Sequence, residues 1–145
     1  MSNNNLFRLL VASASEWYWW GWKGIIDYCP AAVTRFREWL AEKYPAGVEA
    51  LRQAWNHPEL TFDTAEPPAA GFRNATEQGF FRDPRVAGQV LDYRRFLCDM
   101  ISSNIARSCR IVKEETGGKK LAGVFYGYSA YCLEVPGYQG LREVL

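Results

Sequence analysis

Apolar residues first gather in LFRLLVASA, a run over about 6–14 that follows a polar Asn tract. Its length suits a strand buried on both faces. Ser15, Glu16 and a dense aromatic patch, Trp17-Tyr18-Trp19-Trp20-Gly21-Trp22, come next and read as a loop. Beyond Cys29, the residues Val33, Phe36, Leu40 and Tyr44 recur at three-to-four spacing, with Arg35, Arg37, Glu38 and Lys43 mostly opposite. That pattern predicts an amphipathic helix over about 30–44, with Pro30 at the first helical position and Pro45 as its stop. A second, short helix fits about 48–55, closed by Asn56-His57-Pro58.

Positions 61–79 hold Pro67-Pro68, two glycines and several small polar residues, and read as a long connection. Asp83-Pro84 then opens the strongest periodic segment of the chain, a helix predicted over about 84–116. One face of it carries Val90, Tyr93, Leu97, Ile101, Ile105, Ser108 and Val112. Gly117-Gly118 ends it. The run LAGVFYGY predicts a second buried strand over about 121–128, and a further helix begins at about 138–145.

Strand, helices, strand and helix start are the grammar of an α/β fold with a parallel sheet and right-handed crossovers. Two parallel strands alone leave both sheet edges unpaired, so the remaining strands are expected from further polypeptide or from self-association into a homo-oligomer. A (β/α)8 TIM barrel takes about 250 residues. The 145 residues here suit a single incomplete barrel segment of about two β/α units.

Composition narrows the function classes. A formal net charge of +1 offers no field to attract nucleic acid or an anionic membrane surface. No stretch suits a bilayer span or a signal peptide, and the expected location is cytoplasmic. Cys29, Cys98, Cys109 and Cys132 form no CxxC pair, and His57 is the one histidine, so neither a metal site nor a Ser-His-Asp or Cys-His arrangement is expected. Cys98 and Cys109 lie eleven residues apart, roughly 16 Å along a helix and too far for a disulfide. Gly117-Gly118-Lys119-Lys120 lacks the spacing of a phosphate-binding loop, and no cofactor is implied.

In barrels the active site gathers at the C-terminal ends of strands, and Glu16 lies just past the first one. A carboxyl beside several tryptophan rings loses solvation, which raises its pKa toward that of a proton donor at neutral pH. A glutamate after a strand is also commonly a solvated loop residue or an ion-pair partner. Trp17, Trp19, Trp20 and Trp22 present a stacking wall for sugar rings, or equally a surface packed beneath the loop and against neighbouring chain. Tyr126, Tyr128 and Ser129 end the second strand and offer hydroxyls to a substrate, or fill a barrel core. Glycoside hydrolysis needs two carboxyl groups about 5–5.5 Å apart for retention. Asp27, Asp99, Glu114, Glu115 and Glu134 do not sit at a strand end that would supply the second.

The words SASEWYWWG, DYCPAAVTRFREWLAEKY and VEALRQAW, in that order, resemble the middle of the catalytic barrel of the family 42 glycoside hydrolases, a clan A family of beta-galactosidases. The later LDYRRFLCDMISSNIARSCRIVKEETGGKKLAGVFYGY and GYQGLREVL are similar to that family's next long helix, fifth strand and following helix. The resemblance implies a retaining hydrolase of β-galactosides or similar glycosides, with Glu16 as general acid/base at the end of the fourth strand. With Glu16 in that role, Trp17, Trp19, Tyr126 and Tyr128, placed after the two strands, are expected to help shape the sugar site, with Ser15 beside Glu16. Ser15 departs from the family, which usually places Asn there against the sugar 2-hydroxyl. The nucleophilic glutamate belongs to the family's seventh strand, beyond Leu145, so the chain alone is expected to be inactive. The competing expectation is a non-catalytic carbohydrate-binding or assembly module that uses the Trp17–Trp22 loop.

Overall fold

The computed structural model describes residues 8–10, 28–69 and 83–123. Five elements fall within them: β1 (Arg8–Leu10), α1 (Pro30–Lys43), α2 (Val48–Trp55), α3 (Pro84–Glu115) and β2 (Leu121–Gly123). The helix predicted at about 138–145, and the remaining residues of the two predicted strands, lie outside the described residues. Two compact units divide the chain between Phe96 and Leu97, within α3.

In the first unit, α1 is capped by Cys29, whose sulfur accepts the Ala32 N–H at 3.4 Å, with Pro30 at its start. Proline lacks an N–H that would be unsatisfied there anyway. The buried face of α1 is Phe36, Trp39 and Leu40. Val33 and Tyr44, which the spacing also assigns to the core, are half-buried, and Trp39 takes the place the spacing leaves to them. Phe36 is the hub of this core. Its ring stands edge-on to Tyr93 at 5.1 Å between centroids, tilted against Phe96 at 5.2 Å, and stacked with both Trp39 and Trp55 at 6.2 Å. Offset and edge-to-face pairs of this kind add about 0.5–1.5 kcal/mol each beyond their buried area.

Helix α2 ends in a left-handed residue, Asn56 (φ 51°), where the His57 N–H bonds the Arg52 carbonyl and the Asn56 N–H bonds that of Gln53. Asparagine is among the few non-glycine residues that tolerate this conformation. The last turn of α2 comes very close to α3: a Cβ at Gly88 would overlap the Ala54 carbonyl oxygen and lie 3.3 Å from the Trp55 ring. Only glycine fits this approach. One residue earlier, Ala87 has non-helical angles (φ −110°, ψ 22°) that kink α3.

The connection after α2 is irregular yet firmly held. Arg52 Nε donates to the Leu60 carbonyl at 2.8 Å, and Arg37 Nε to that of Ala65 at 2.8 Å. Gln89 Nε2 donates to the Glu66 carbonyl and Tyr28 Oη to that of Pro68, both at 2.9 Å. Arg37 also pairs with the Glu66 carboxylate. Leu60, Ala65, Pro67 and Pro68 are buried. This is the long connection the composition predicts over its described part, and side-chain donors satisfy the carbonyls that a ladder or helix would otherwise pair.

The polar centre of the unit is Asp92, whose side chain is only 7% exposed. Lys43 Nζ pairs with one carboxylate oxygen, while Tyr44 Oη at 2.6 Å and Trp55 Nε1 at 2.8 Å donate to the other. The Lys43 ammonium also lies over the Trp39 and Tyr44 rings, 5.2 and 5.1 Å from their centroids. Lys43 and Arg37, assigned by spacing to the outer face of α1, therefore turn their charged ends to partners on other segments.

In the second unit, β1 and β2 pair in parallel with register Arg8 to Leu121, Leu9 to Ala122 and Leu10 to Gly123. The C-terminal half of α3 buries Leu97, Cys98, Ser102 and Ile105. It ends at Gly117 (φ 57°), where the Gly118 N–H returns to the Lys113 carbonyl at 2.8 Å. Leu121 and Gly123 are exposed and Ala122 half-buried, where the apolar run predicts a buried strand. A ladder of two described strands cannot cover both of its faces and edges. Among the described residues no helix is long and apolar enough to cross a membrane.

Four substitutions check this packing. Helix propensity alone favours Gly88→Ala by about 0.8–1.0 kcal/mol, but the clash with the Ala54 backbone should reverse the sign and destabilise by roughly 2 kcal/mol in urea unfolding. Asp92→Ala should cost about 3–5 kcal/mol because three donors lose their acceptor. Lys43→Met should also destabilise, since it leaves the 7%-exposed Asp92 carboxylate with only the phenol and the indole as donors. Burial, followed by the hydrogen bond to Asp92 and its negative charge, holds the Tyr44 phenol above the ordinary tyrosine value. The protonated phenol is the donor, so its contribution is complete below the unfolded value of about 10 and is lost as pH rises through the higher folded value. The stability gap between the native protein and Tyr44→Phe, about 1 kcal/mol at neutral pH, should therefore close in titrations above about pH 10; a gap that stays constant there would contradict the assignment.

Candidate functional site

Ser15, Glu16, Trp17, Trp19, Tyr126 and Tyr128 all lie outside the described residues, as do Asp27, Ser129 and Glu134. What the structure describes is where the segments bearing them depart. The parallel register sets Leu10 beside Gly123, so the C-terminal ends of both strands share one edge of the ladder. Along the chain, Glu16 follows Leu10 by six positions (16 − 10), and Tyr126 follows Gly123 by three (126 − 123). At about 3.3–3.6 Å per extended residue, six residues reach at most roughly 20 Å. The ladder brings the two departure points together, but it does not by itself fix the side chains that follow.

Among the described residues Asp92 is the buried carboxylate, and sequence reasoning passes over it. The signal was present: Gly88, Asp92 and Phe96 recur every four residues, a stripe beside the one carrying Val90, Tyr93 and Leu97. Its chemistry is nonetheless that of a brace. Both oxygens accept hydrogen bonds, from an ammonium, a phenol and an indole. The phenol is held protonated well above neutral pH, which makes it a poor acid there.

The other ionisable groups do not converge. Asp99 is half-buried on α3, whereas Glu114 and Glu115 are exposed in its last turn. His57 is exposed at the end of α2. Cys29 is exposed, Cys98 buried and Cys109 half-buried. Among the described residues no group of His, Cys, Asp and Glu is arranged to hold a metal ion.

Comparison with known proteins supplies what these side chains do not. Residues 19–138 match the model of glycoside hydrolase family 42, described as beta-galactosidase. Beta-galactosidase Pbg of Clostridium perfringens is 28% identical over 106 residues, covering 70% of this chain and 14% of that protein. The chain thus spans about one seventh of the length of this relative. No solved structure matches the chain significantly. The matched span contains α1, α2, α3 and β2, the helices and second strand of the parallel crossover. Because that match takes in most of the sequence, the chain belongs to glycoside hydrolase family 42, the beta-galactosidase family.

Proposed function

We propose that this chain is the part of a retaining, beta-galactosidase-like glycoside hydrolase that carries its acid/base glutamate, Glu16, and that it forms about two units of a (β/α)8 barrel. The family match over residues 19–138, which begins three positions after Glu16, supports the glycoside hydrolase part of this reading. The parallel pairing of β1 with β2 supports it, since active sites of such barrels gather where strands end. The proposed substrate is a carbohydrate, a β-galactoside or similar glycoside, and the proposed location is cytoplasmic.

Retention requires two carboxyl groups about 5–5.5 Å apart. In this reading Glu16 is one of them. It protonates the glycosidic oxygen as the bond to the anomeric carbon breaks, and the second carboxylate, from polypeptide outside these 145 residues, forms the covalent glycosyl-enzyme. The resulting Glu16 carboxylate then takes a proton from water as the water attacks the anomeric carbon and the bond to the second carboxylate breaks, which frees the sugar and restores both the acid and the carboxylate. Trp17 and Trp19 supply the apolar surroundings that raise a carboxyl pKa, together with faces for the sugar's C–H groups. Ser15, Tyr126 and Tyr128 offer hydrogen bonds to substrate hydroxyls.

The test compares leaving groups in the complete enzyme that contains this chain. Glu16→Gln should lower turnover of glycosides with poor leaving groups by about 10²–10⁴-fold. Activated aryl glycosides need little protonation and should lose far less in the glycosylation step. An equal loss on both substrate classes would argue that Glu16 is not the proton donor.

A further inference from the structure

We draw no further inference here: the strongest candidate, the side-chain cluster of Asp92 with Lys43, Tyr44 and Trp55 where α1 and α2 meet α3, belongs to the brace already described, its ammonium, phenol and indole being committed to that carboxylate.

Discussion

A carboxylate taken out of water must be met by donors, and the helical part of this chain is arranged to meet one. Asp92 draws an ammonium from the end of α1, a phenol from its cap and an indole from the last residue of α2 onto α3. Because all three donors sit at helix ends, the contact fixes where α1 stops and how the last turn of α2 meets α3. Gly88, one turn before Asp92, provides the clearance that lets the α2 backbone come that near. The rings around Phe36 then fill the space the three helices enclose. A buried pair of this kind is a modest source of net stability but a strict condition on geometry, since removing either partner strands the other.

The parts of the fold that rest on local patterning are legible in the sequence. Pro30 and Pro45 bracket α1, Asn56 ends α2, and Gly117 ends α3 by adopting the left-handed angle that glycine favours. The parts that rest on distant partners are not. Lys43 and Arg37 look like the outer face of an amphipathic helix, and only the fold reveals Asp92 and Glu66 opposite them. Pro67 and Pro68 look like loop punctuation, yet both are buried because carbonyls nearby have side-chain donors. Helical periodicity describes one element at a time, whereas burial of a charge is a property of several.

The candidate site is legible by another route. Glu16 and the tryptophans after it stand out through their position after a strand and through family resemblance, and no spacing rule alone gives them a role. The family match establishes kinship across α1, α2, α3 and β2, while the parallel ladder sets the departure points of both segments proposed to bear the site on one edge. In that proposal scaffold and chemistry occupy separate stretches of sequence. The residues that hold the helices together are not those proposed to meet the sugar, which is the usual division of labour in barrel enzymes.

The central claim is that Glu16 delivers a proton to a glycosidic oxygen at the mouth of a barrel. A crystal structure of the complete enzyme with an unhydrolysed glycoside bound tests it most directly. The account predicts a Glu16 carboxyl oxygen within about 2.6–3.2 Å of the glycosidic oxygen, with a second carboxyl group about 5–5.5 Å from the first across the anomeric carbon. A sugar bound elsewhere, with Glu16 turned into bulk solvent, would contradict it.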